Sequence, residues 1–181
     1  MAKRTQPHRR DTPDDARPPI LGIDVGGVLV RSVADNVDTS FFGARPMETP
    51  TVEGCIDAVA HLTTGYFAHQ VHIVSKAGPK ISELTREWLG HTGFFAATQI
   101  SQGNLHFVRK RIDKAPICKR LGVTHFIDDR PDVLAHLTTV TYRFLFRGGR
   151  GDEFVVVPED PSLIIVDSWH DVLQWFTGRD E

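Results

Sequence analysis

Three apolar runs in this chain each end in a residue able to handle a negatively charged oxygen. ILGI is followed by Asp24, VHIV by Ser75, and THFI by Asp128 and Asp129. A carboxylate can act as a nucleophile, and a hydroxyl can bind a phosphoryl oxygen. Two adjacent acids are costly to hold together without a cation between them. Lys114, upstream of the acidic pair, can neutralise phosphoryl charge, a role for which Lys110 and Lys119 compete. Each residue also has a plainer reading: Asp24 as a turn acid, Ser75 as a loop hydroxyl, Asp128 and Asp129 as caps of the next helix. The IDVGGV context of Asp24 and the pairing of two carboxylates favour chemistry.

These groups meet only if the fold gathers their strand ends at one edge. The run from residue 20 reads as a buried first strand ending in a Gly-containing loop, and residues 41–52 as a loop. Residues 53–62 have helical spacing, 70–74 form a second strand, and 75–78 a loop. A helix is expected over 80–90, a strand over 105–108, and a helix over 114–121 stopped by Gly122. The run ending in Asp128 and Asp129 precedes Pro131, which opens a helix over 132–137. Strands at 141–146 and 163–166 and a Ser-capped helix over 168–176 complete the chain. The strand–helix alternation predicts right-handed βαβ units: an α/β fold with a doubly wound, mainly parallel sheet. In such sheets ligands bind beyond the carboxyl ends of the strands, where Asp24, Ser75 and the acidic pair all fall.

Taken in order, ILGIDVGGVLV, VHIVS, a following Lys and THFIDDRPDVL resemble the four signature motifs of the haloacid dehalogenase superfamily, spanning residues 20–134. IDDRPD, the WL-ending helix after the Ser motif and the short segment between the first two motifs are similar to the 5′(3′)-deoxyribonucleotidase branch. The resemblance implies a Rossmann-like core and a phosphohydrolase in which Asp24 attacks phosphorus, forming an aspartyl-phosphate that water hydrolyses. It implies Mg²⁺ held by Asp24, the backbone carbonyl of Gly26, Asp128 and Asp129. Ser75, Lys76 and Lys114 would bind the phosphoryl group.

One residue departs from that pattern. Two positions after the nucleophile the superfamily's phosphatases usually carry an Asp that protonates the leaving alcohol; here it is Gly26. General acid–base catalysis is worth about 10²–10⁴-fold. Three outcomes stay open: a substrate with a good leaving group, an acid supplied elsewhere, or a phosphate-binding pseudoenzyme or interaction module with little turnover. The spacing between motifs leaves no room for a large cap domain. By analogy, an open site admits a bulky or polymeric phosphorylated substrate, and nucleotides are candidates through the deoxyribonucleotidase likeness.

Composition sets the frame. With 181 residues, 40 % hydrophobic and 24 % charged, the chain fits one domain over 19–181, preceded by a polar, flexible tail at 1–18. No apolar segment suggests a membrane span or secretory leader, so a cytoplasmic location is expected. Cys55 and Cys118 lack a metal-type spacing and read as buried and reduced, and the scattered histidines give no zinc pattern. A net charge of −2 gives no global reason for nucleic-acid binding. RKRIDK at 109–114, with Lys119 and Arg120, reads as a solvated helix face apart from Lys114, and RGD at 150–152 as a Gly-rich turn.

Overall fold

Leu21, Gly22 and Ile23 are sealed from solvent on both faces, the environment of a central parallel strand. They form β1 (Leu21–Ile23), flanked by β2 (Val71–Lys76) and β4 (His125–Asp128). Outward on one side lies β3 (Leu105–Val108); on the other lie β5 (Tyr142–Phe146) and β6 (Leu163–Val166). All six strands are parallel, in the order β3-β2-β1-β4-β5-β6. The computed structural model describes residues 18–32, 42–150 and 159–178. The expected tail therefore lies outside the described residues except for Pro18, as does the RGD turn beyond Arg150.

Helices cover both faces. Alternate strand positions Leu21, Ile23, Val71 and Ile73 pack into the larger core, against α1 (Cys55–Gly65), α2 (Pro79–His91), α3 (Phe94–Thr98) and α6 (Trp169–Thr177). Val74, Phe126 and Leu145 point the other way, where Cys118 of α4 (Lys114–Leu121) and Leu134 of α5 (Pro131–His136) cover them. The two-residue period puts Asp128 on the same face as Phe126, towards α4 and α5. Cys55 and Cys118 are buried and unpaired, and burial pushes both thiols up to about 12.

The doubly wound parallel sheet agrees with the sequence expectation, with two differences of detail. Strand β2 runs on to Lys76, so Ser75 and Lys76 are strand residues and not loop residues. Their partners Phe107 and Val108 continue the ladder past the point where polarity suggested a stop. Helix α3 was not anticipated; it has five residues, enters through Gly93 at φ +75 and has no side-chain cap.

Candidate active site

In the strand order 3-2-1-4-5-6 the winding reverses between β1 and β4, opening a crevice at their carboxyl ends. The register aligns Ile23 with Ile127, so the next residues, Asp24 and Asp128, stand side by side at that crevice. The Asp24 N–H donates to the Ile127 carbonyl at 3.0 Å, continuing the ladder to the first carboxylate.

Lys114, the first residue of α4, reaches into this crevice. Its Nζ lies 2.9 Å from Asp24 Oδ1 and 2.7 Å from Asp128 Oδ2, with the Phe126 ring centroid 5.6 Å away. The side chain is only 2 % exposed. Burial alone would lower its pKa, but Asp128 and Asp24 together hold it above the ordinary lysine value. An ammonium has three donors; two meet carboxylates, leaving one for a third acceptor. Lys110 and Lys119 are both exposed.

Asp128, fully buried, also accepts the Arg130 backbone N–H on Oδ1 at 2.9 Å. Asp129 follows it and accepts from Arg150 Nε on Oδ2 at 2.6 Å. Burial, followed by crowding from neighbouring carboxylates, raises both acids above the usual carboxylate range, against the pull of Lys114 and Arg150. Three carboxylates thus share two cations. A charge deficit of this kind in a buried site is what a divalent cation makes good.

Oxygen atoms of Asp24, Asp128 and Asp129 lie within 4.8 Å of one another. An all-carboxylate donor set without His or Cys suits a hard cation such as Mg²⁺, which keeps part of its water shell and takes few protein ligands. The residues therefore fit the ion expected from the sequence.

The loop after Asp24 is tightly wound. Val28, Leu29 and Val30 all donate to the Val25 carbonyl, and the Gly27 N–H donates to Val30. The Trp169 indole of α6 donates to the Val28 carbonyl at 2.9 Å and fixes the loop from below. Gly26 lies within this loop, half-buried. Gly27, at φ +71, approaches Asp129 so closely that a Cβ would sit 2.2 Å from Oδ2. A Cβ at Gly149 would in turn meet the Gly27 carbonyl at 1.9 Å, and Ser32 N–H donates to the Gly149 carbonyl. The loop after β5 is thereby pressed onto the loop after β1, which brings Arg150 to Asp129.

Asp24, Lys114, Asp128 and Asp129 are thus drawn into one cluster. Ser75 and Lys76 stand at the same sheet edge, at the end of neighbouring β2, and make no hydrogen bond or ion pair to the cluster among the described residues. Arg150 was not among the residues expected at the site. It lies four residues past the end of β5, beyond the Gly-Gly pair at 148–149, so the strand-end position that marks Asp24 does not mark it.

No protein-family model matches the chain, and no curated protein matches it. Among solved structures it is similar to the crystal structure of D,D-heptose 1,7-bisphosphate phosphatase from Burkholderia thailandensis. The TM-score is 0.54 at 17 % identity, over 88 % of this chain and 98 % of that one. The chain shares that structure's fold, a six-stranded parallel sheet with helices on both faces. The likeness to this fold expected from the motifs is borne out; that to the deoxyribonucleotidase branch gains no support from this neighbour. No helix among the described residues is long and apolar enough to cross a membrane.

Proposed function

We propose that the chain is a Mg²⁺-dependent phosphohydrolase acting on a phosphomonoester through an aspartyl-phosphate on Asp24. The observation that carries this reading is the buried cluster at the β1–β4 crevice, where Lys114 holds the Asp24 carboxylate 2.9 Å away beside two further acids. The neighbour of the same fold is a bisphosphate phosphatase, which agrees with this reading.

Asp24 attacks phosphorus in line with the ester oxygen; an Asp–O–P bond forms as the P–O bond to the leaving alcohol breaks. Water then attacks phosphorus, releasing phosphate and regenerating the Asp24 carboxylate. Lys114 has two tasks, orienting Asp24 and offering its remaining N–H to a phosphoryl oxygen. Asp128 keeps that ammonium in place. Ser75 positions a second phosphoryl oxygen, and Lys76 adds positive charge at the rim. Asp24, Asp129, Asp128 and the Gly26 carbonyl would hold a Mg²⁺ ion, which would supply electrostatic stabilisation of the phosphoryl charge.

Gly26 supplies no proton, so the leaving oxygen departs as an anion or takes its proton from water. That favours substrates whose leaving group is already a weak base. The same residue supports a second reading, a phosphate-binding domain without turnover. A panel of aryl, acyl, alkyl and nucleotide phosphates with and without Mg²⁺, using Asp24→Asn as control, decides between the two. Phosphate binding with no release by the wild type on any substrate would favour the second.

A further inference from the structure

The basic segment 109–111 departs from the solvated helix face that its sequence suggests. It does not lie on the face of α4: strand β3 ends at Val108, and a 3-10 turn over Arg111–Asp113 leads straight into Lys114. Arg109, Lys110 and Arg111 are all exposed, and none makes an ion pair among the described residues. The nearest acid in sequence, Asp113, accepts the Lys110 backbone N–H at 3.2 Å.

Register ties the segment to the site. Ser75 and Lys76 pair with Phe107 and Val108, and the Ala77 N–H donates to the Val108 carbonyl at 3.0 Å. Arg109 therefore emerges beside the end of β2, where Lys76 is also unpaired among the described residues. Three residues after Arg111, the chain delivers the Lys114 ammonium to Asp24. Unpaired cations thus run from the rim of the crevice along the carboxyl edge of the sheet, while Lys119 and Arg120 sit at the other end of α4. A face that is merely solvated gains nothing from concentrating one sign of charge at the mouth of an anion site, since like charges repel there.

We propose that Lys76, Arg109, Lys110 and Arg111 form a binding strip for further phosphate groups of the substrate, so that the preferred substrate carries at least one phosphate beyond the one removed. This rests on the phosphohydrolase reading and narrows its substrate class. The shared chemistry, a terminal phosphate flanked by others, is found both in small bisphosphates and in phosphorylated oligonucleotide ends.

The test compares wild type with Arg109→Ser/Lys110→Ser/Arg111→Ser, and with the single Lys110→Glu in case the triple variant folds poorly. The readout is kcat/KM on a sugar monophosphate, a sugar bisphosphate and 5′-phosphorylated oligonucleotides of two to eight residues. Wild type should favour the polyphosphorylated substrates, and both variants should lower that preference, the triple by about tenfold or more through KM. Against oligonucleotides the triple variant should also lose about 2 from the slope of log K against log salt, three contacts at roughly 0.7 each for single strands. A gain confined to bisphosphates assigns the small ligand, and one that grows with oligonucleotide length assigns the nucleic-acid end. Equal preference in wild type and variants overturns the strip while leaving the phosphohydrolase intact. Should no substrate be turned over, oligonucleotide binding to Asp24→Asn, followed by anisotropy with and without the triple substitution, still tests the strip. Loss of binding in the triple background supports it, and unchanged binding overturns it.

Discussion

Arg150 Nε stands 2.6 Å from Asp129 Oδ2, joining the loop after β5 to the acid that ends the metal-type cluster. The guanidinium occupies one oxygen of a carboxylate proposed to meet Mg²⁺, so a bound cation and Arg150 would compete for the same charge. Arg150 is the cation paired with Asp129, as Lys114 is with Asp24 and Asp128.

Replacing Arg150 by Ala should therefore destabilise the metal-free protein by about 3 kcal/mol, the usual cost of leaving a buried partner uncompensated. Mg²⁺ should recover more stability in the variant than in wild type, because binding to the folded state alone shifts the equilibrium towards it. Thermal melts with and without millimolar Mg²⁺ measure both effects. An equal Mg²⁺ shift in the two proteins would show that Arg150 and the ion do not share Asp129.

Gly27→Ala tests the contact from the other side. The added methyl meets Asp129 Oδ2 in a backbone conformation with φ +71. The left-handed backbone alone costs about 1–2 kcal/mol, and the clash displaces the carboxylate. The expected result is a lower melting temperature together with a lost Mg²⁺ response. A variant that melts like wild type and still responds to the ion would mean that Asp129 is free to move without consequence.

Gly26→Asp restores a proton donor two residues after Asp24. Alkyl phosphate hydrolysis should rise by up to about 10²–10⁴-fold, and acyl phosphate hydrolysis much less, since only the alkoxide needs protonation. Measuring kcat/KM on both classes decides the matter. An efficient wild type on alkyl phosphates, unimproved by the substitution, would show that another residue supplies the proton.

Acid should weaken the fold through His72 and His106, whose rings meet at 3.1 Å between β2 and β3. Burial lowers both imidazoles, aided by the mutual proximity of the rings at His72 and by Arg120 at His106. The folded protein keeps them neutral while the unfolded chain protonates them near pH ~6.5. Their contribution is thus complete above that pH and is lost as pH falls through it towards the folded values, where the unfolded state binds more protons. Urea titrations between pH 7 and 5 should show a falling stability, with a shallower slope in His106→Asn. An unchanged slope would assign the acid sensitivity to other groups.

The sequence exposes the parts of this architecture that act locally. Apolar runs cut off by Asp24 and Asp128 mark the ends of β1 and β4, because a fully buried strand tolerates a carboxylate only where it emerges at the edge. Pro131 and Ser168 announce α5 and α6 through their places at helix starts. The extension of β2 to Lys76 is less legible, since it depends on pairing with a strand more than thirty residues away. The choice among three lysines needs the burial that only packing reveals. Arg150 is the hardest to foresee: its position depends on Gly149 lying against the Gly27 backbone, a contact with no signature in either segment alone.

The alignment of β1 with β4 has a kinetic meaning. The strand that brings Asp128 beside Asp24 lies about a hundred positions after β1; the neighbouring Ile20–Thr124 bond spans 104. Closing so long a loop carries an entropic cost that only the assembled sheet repays. On the ribosome, Asp24 would therefore wait without Asp128 while β2, α2 and β3 are made. The three carboxylates would become neighbours only after β4 has cleared the exit tunnel, by which time Lys114, synthesised just before it, is already there to receive them.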